Sequence, residues 1–152
     1  MSPELRDQVE VALAELARLL AVHRPLLDEC AERKPNHIEV SALGAALHAF
    51  YTGAESLLRR IAVEAGDIPL HGDAWHQALL LSMSGPTALR PAVISEETRV
   101  LLRPYLQFRH VFRQAYTSHL DWARMSPLIL RWEEAFAAFA RDVHTFVGPL
   151  GE

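Results

Sequence analysis

Apolar residues recur at steps of three and four along most of this 152-residue chain, the spacing that puts one buried face on an α-helix. Leu5, Val9, Leu13, Leu16, Leu20, His23 and Leu27 form a first stripe reaching about Ala31, which Pro25 is expected to bend. Ser2-Pro3-Glu4 supplies an N-cap hydroxyl, a proline whose missing N–H costs nothing at the first helical position, and an acid facing the helix dipole. Lys34-Pro35 breaks this helix. Asn36, with Glu39 three residues on, then reads as a capping box for a second long helix. Its stripe is Val40, Leu43, Leu47, Phe50, Ala54, Leu57 and Ile61, and Gly66 reads as its stop.

Asp67 to Asp73 reads as a polar turn and Ala74 to Met83 as a short helix ended by Gly85-Pro86. The connection over 84–95 holds Pro86 and Pro91 and has no clear periodicity, the kind of long irregular segment that is often functional or mobile. Ser95-Glu96-Glu97 caps a third long helix, whose apolar face is Val100, Leu101, Tyr105, Phe108, Val111, Phe112, Ala115 and Leu120. Pro104 is expected to kink it or make it begin again. Ser126-Pro127 repeats the opening cap and is expected to start the last helix, with Leu128, Trp132, Ala135, Phe136, Phe139, Val143 and Phe146 as its stripe and Gly148-Pro149 as its end. No strand pattern competes. The expected fold is all-α, an antiparallel bundle of four long helices plus a short one, in a single domain over residues 1–152.

Composition narrows the class. With 50% apolar and 22% charged residues the chain is not disordered, and a formal net charge of -4 argues against coating nucleic acid non-specifically. The lone Cys30 permits no intrachain disulfide, the first residues carry neither the basic cluster nor the apolar run of a signal peptide, and the longest uncharged stretches fall short of the ~20 residues of a bilayer span. A cytoplasmic protein without a membrane segment is expected. Eight histidines raise the question of metal, but no HExxH and no pair of ExxH motifs occurs, so neither metal nor cofactor is expected; His71 and His76 read as exposed or capping. No phosphate loop, dinucleotide-binding glycine motif or nucleophile elbow is present.

The third long helix has the one unusual charge pattern. Arg99, Arg103, Arg109, His110 and Arg113 occur between Thr98 and Leu120 without an acid, interleaved with Tyr105, Phe108, Phe112 and Tyr116. Guanidinium groups on phosphates and rings stacked on unpaired bases would suit single-stranded RNA. On spacing alone a helix–helix contact with snorkelling arginines accounts for the same pattern more economically.

The run Leu106-Gln107-Phe108-Arg109-His110-Val111-Phe112-Arg113-Gln114-Ala115-Tyr116 resembles the motif of HepT-like ribonuclease toxins of the HEPN superfamily: Arg, four residues, His, one residue, Tyr. Arg109 and Tyr116 fall on matching positions, and Gln114 stands where the family has histidine. The motif alone is weak, since Arg103 to His110 or Arg113 to His119 satisfies a looser version. The resemblance gains specificity from an ordered set of further segments, Ala49 to Glu55, Trp75 to Leu80, Arg90 to Ser95 and Leu120 to Trp122, and covers about residues 40 to 125.

This resemblance implies a HEPN-like helical protein that forms a homodimer, with the motifs of two protomers meeting in one cleft where RNA is cleaved without metal. It implies the toxin of a type VII-like toxin–antitoxin pair whose partner is an MNT-type nucleotidyltransferase. In that scheme Arg109 stabilises the pentacovalent phosphate, and the histidine position moves the proton of the 2′-hydroxyl. A carboxamide at Gln114 cannot exchange that proton near neutral pH, so this chain is expected to be a weakened or inactive nuclease with its RNA cleft intact. A natural loss and a deliberate substitution that lets a toxic protein be produced both fit. Arg103, Arg109, His110 and Arg113 are the expected RNA contacts, and His110 is the neighbour that would have to replace the lost histidine. Tyr116 is the expected acceptor of AMP from the antitoxin, adding bulk and negative charge where phosphate should bind. Tyr51 and Glu55 on the second helix support this site or pair with Arg59. The alternative from another class is a non-catalytic helical protein that only binds its antitoxin or RNA; a metal-dependent four-helix enzyme would require bound metal.

Overall fold

A computed structural model describes residues 1–114 and 119–148. Five helices follow one another: α1 (Pro3–Cys30), α2 (His37–Glu64), α3 (Trp75–Met83), α4 (Glu96–Gln114) and α5 (Trp122–Val147). The described residues contain no strand. Helix α2 is the centre of the arrangement, packing against each of the other four, while α5 also lies on α1 and α4 and α3 on α4. Accordingly its buried side is the broadest, running from Val40 to Ala62.

The caps written in the sequence form. Ser2 Oγ accepts from the Leu5 N–H at 3.1 Å and donates to Glu64, tying the start of α1 to the end of α2. At the start of α2, Asn36 Oδ1 accepts from the Glu39 N–H and Glu39 Oε1 accepts from the Asn36 N–H, both at 2.9 Å. Arg33 pairs with that carboxylate at 2.7 Å, and these bonds, Arg33 first, hold Glu39 down to about 2. Gly66 takes the left-handed backbone, φ 83, that a side chain would resist just after α2 ends.

An aromatic cluster closes the middle. Phe50 meets Tyr105 edge-on at 5.3 Å and lies 6.1 Å from Trp132 and 6.5 Å from Phe136, joining α2, α4 and α5. Tyr105 donates its hydroxyl proton to the Leu128 carbonyl at 2.6 Å, so a fully buried phenol is not left unsatisfied.

Prolines lie inside three of the helices. Helix α4 neither stops nor restarts at Pro104, and α1 runs through Pro25 without a break. An internal proline costs about 3 kcal/mol through one lost hydrogen bond and a clash. Pro104 is exposed while Leu102, Tyr105, Leu106 and Phe108 are buried around it, and that burial offsets the loss. The last helix does not begin at Ser126-Pro127. It begins at Trp122, with Asp121 accepting from the Ala123 N–H at 3.0 Å, and Pro127 lies inside it. The carbonyl that Pro127 leaves unpaired belongs to exposed Ala123, where water can serve it.

Two further expectations are corrected. Val100 and Val111, placed on the apolar face, stay 56% and 45% exposed, because α2, α3 and α5 together select which side of α4 is covered. The connection over 84–95 is firmly packed rather than loose. Arg90 is buried and donates to both Asp67 carboxylate oxygens at 2.9 and 2.7 Å and to the carbonyls of Ser82, Gly85 and Pro91. Val93 and Ile94, buried in turn, donate their N–H groups to Met83 O at 2.9 and 3.1 Å.

Candidate functional site

Helix α2 carries a line of polar side chains on the side facing α3 and α4. His48, Tyr51, Glu55 and Arg59 follow at steps of three and four, so one helical face presents all four. Tyr51 and Glu55 are buried, and His48 is half-buried. Glu55 Oε2 lies 2.8 Å from Nδ1 of His76, at the start of α3, and both side chains are largely withdrawn from solvent. His76 is therefore neither simply exposed nor capping. The His76 ring stacks on Trp75 at 3.7 Å, and Arg59 lies 4.8 Å over the Trp75 ring. Arg59 thus binds an aromatic face, and Glu55 is paired with an imidazole rather than with Arg59.

Opposite this line stands the basic end of α4. Arg109 is half-buried, and its Nε is buried without a hydrogen-bond partner. Phe112, close to a turn further on, stacks on the His48 ring with centroids 4.8 Å apart and planes 29° apart. The two helices approach closely here because residue 44, one turn before His48, is glycine. A Cβ at Gly44 would stand 2.6 Å from Leu120 Cδ1 and 3.4 Å from Phe112 Cε2. His48 Nδ1 is also buried without a partner.

The electrostatics agree with this geometry. Burial lowers the pKa of His48, and the positive charges of Arg109 and then Arg113 lower it further, leaving the imidazole neutral at pH 7. Burial raises the Tyr51 phenol above its ordinary range, Glu55 adds to that and Arg109 opposes it. His48 and Tyr51 thus both feel the charge of Arg109 across the α2–α4 contact.

The residues singled out in the sequence are distributed unevenly over α4. Arg109 is half-buried and Arg113 exposed, and both are near enough to influence His48. Arg103, His110 and Gln114 are exposed. Five positions at about 100 degrees each carry residue 114 about 140 degrees around the helix from Arg109. Gln114 is the last described residue of α4. Tyr116 lies outside the described residues. Arg99, at the other end of the basic run, is paired with Glu96. Tyr51 feels the charge of Arg109, while Glu55 is held by His76. His48 was missed, although its register with Tyr51 and Glu55 on one face of α2 was a readable signal. Among the described residues no group of three His, Cys, Asp or Glu side chains is placed to share a metal ion, and no helix is long and apolar enough to cross a membrane.

Comparison with known proteins bears on the whole arrangement. No curated protein and no solved structure matches the chain. A family model described as HepT-like protein matches residues 42–150, which take in α2 nearly from its start, the α3 corner and the basic helix α4. With that match over well more than half of its length and an all-helical fold, the chain belongs to the HepT-like protein family, a HEPN-superfamily scaffold.

Proposed function

We propose that this protein is the toxin of a HEPN/MNT toxin–antitoxin pair, a metal-independent endoribonuclease weakened by Gln114 and acting in the cytoplasm as a homodimer. RNA lies along the exposed basic side of α4, on Arg103, His110 and Arg113, with Arg109 directed at the scissile phosphate. The observation that carries this reading is the unpartnered buried Nε of Arg109 in a member of the HepT-like family. A buried donor without an acceptor costs about 1–3 kcal/mol, and more when it is charged, and a phosphate oxygen would remove that cost. A guanidinium suits the role because it stays charged at any physiological pH and stabilises the extra negative charge of the pentacovalent phosphate. Family membership supports Tyr116 as the hydroxyl that an MNT-type antitoxin modifies with AMP, which would bring negative charge to the RNA path.

Labelled RNA incubated in EDTA with the native chain, Gln114→His and Gln114→His/Arg109→Ala tests this. Slow cleavage by the native chain, a gain of ~10² or more in the histidine variant and its loss on removing Arg109 are expected. The presence of Gln114 gives a second reading its footing: a non-catalytic module that binds RNA or its antitoxin. Binding without cleavage by both the native chain and Gln114→His, each free of AMP by mass, would establish that reading instead.

A further inference from the structure

The side chain that moves the proton in this chain need not lie on the motif helix. We propose that His48 of α2 is the imidazole that works with Arg109, accepting the proton of the RNA 2′-hydroxyl in place of the amide at position 114. This inference rests on the ribonuclease reading above and adds a catalytic residue to it.

Three observations place His48 there. Its ring is stacked on Phe112, which lies on the same side of α4 as Arg109, and glycine at position 44 permits that approach. Its Nδ1 and the Arg109 Nε are both buried without partners, on two helices that face each other. A structural histidine and a structural arginine in such a contact would ordinarily have found acceptors or donors; two unsatisfied polar atoms on helices packed together are what a polar ligand would complete. Gln114, by contrast, is exposed about 140 degrees around α4 from Arg109. The lowered basicity of His48 fits as well, since a neutral imidazole at pH 7 has a nitrogen lone pair ready to accept a proton. The groups facing it are Arg109 and Arg113 of α4, with Tyr51 and Glu55 further along its own helix. Of the other histidines near the site, His76 already has its Nδ1 on Glu55, and His110 is exposed.

The step balances without a further reagent. The 2′-hydroxyl proton passes to the imidazole as the 2′-oxygen forms a bond to phosphorus and the bond from phosphorus to the 5′-oxygen breaks. The leaving 5′-oxygen takes a proton from water and the imidazolium returns its proton to solvent, leaving a 2′,3′-cyclic phosphate and a 5′-hydroxyl end.

The test measures cleavage of labelled RNA in EDTA, and binding of the same RNA carrying 2′-O-methyl groups, by full-length AMP-free protein. Expected is slow cleavage by the native chain, reduced by ~10² in His48→Gln and His48→Asn with 2′-O-methyl RNA bound within about threefold of native. A merely structural role would weaken binding and cleavage together, and that outcome in both variants would overturn the assignment. His37→Gln, at the far start of α2, should cleave like the native chain. Native-level cleavage by the His48 variants, with loss in Arg109→Ala, overturns the role of His48 while the ribonuclease reading stands. Cleavage by Gln114→His but not by the native chain does the same. Cleavage by neither overturns both.

Discussion

Arg90 and Arg109 are both drawn away from solvent, and they are equipped in opposite ways. Arg90, in the connection between α3 and α4, spends its guanidinium on Asp67 and three backbone carbonyls. Arg109, at the α2–α4 contact, keeps a buried Nε without a hydrogen-bond partner. The first arrangement closes a structure, because every charge-assisted bond it makes is intramolecular. The second leaves binding capacity unused, at a cost to the free protein that a ligand would remove. Burial of an arginine is therefore uninformative until its donors are counted.

The sharpest way to break this comparison is to truncate both residues. Arg90→Ala strands the Asp67 carboxylate and three carbonyls, and should cost about 3–5 kcal/mol in urea unfolding. Arg109→Ala should change stability by less than about 1 kcal/mol or even raise it, since it removes an unsatisfied buried donor. Equal losses would mean that Arg109 is structural too. Between these extremes lies Glu55→Ala, which leaves His76 unpaired at the corner of α2 and α3 and should cost about 1–3 kcal/mol by the same measurement.

Two smaller effects separate the regions by pH. The exit of the connection is anchored by Asp142 of α5, which accepts from the Ser95 N–H at 2.9 Å and the Thr98 hydroxyl at 2.5 Å. Burial by itself would raise the Asp142 carboxyl, but these bonds outweigh it and hold the pKa below the ordinary value. A depressed folded pKa gives stability that is present above the unfolded value, ~3.9, and is lost as pH falls through the folded value. Urea midpoints taken from pH 5 down to pH 2 should therefore fall less in Asp142→Asn than in the native chain. At the α2–α4 contact the titrating group is a base. His48 is harder to protonate in the folded state, so stability should decline as pH drops from the unfolded value of ~6.5 toward the lower folded one and then level off. His48→Gln should remove that component between pH 7 and 5, and an unchanged profile would show that burial and the two arginines do not hold the imidazole below its ordinary range.

How much was legible in advance depended on the range of the interaction. Ser2, the Asn36 and Glu39 pair and Ser95 could be read as caps because each acts on backbone three residues away. Ser126-Pro127 misled for the converse reason. Its local preference was correct, but an Asp121 cap ahead of it set the start of the helix. The same holds at the site. Arg109 was visible through its motif, whereas His48, which feels its charge, lies on another helix and belongs to no motif.

The sequence by itself therefore determined the helical class, the caps at Ser2, Asn36 and Ser95, most of the apolar stripes and the basic run on α4, all consequences of contacts within a few residues or of a regular period. Only the tertiary structure decided which arginine is satisfied and which is not. The packing of α2 against α4, made close by Gly44, brought His48 to Phe112 beside Arg109 and left Gln114 in solvent. Whether a buried donor finds an acceptor depends on where other helices come to lie, and no local pattern encodes that distance.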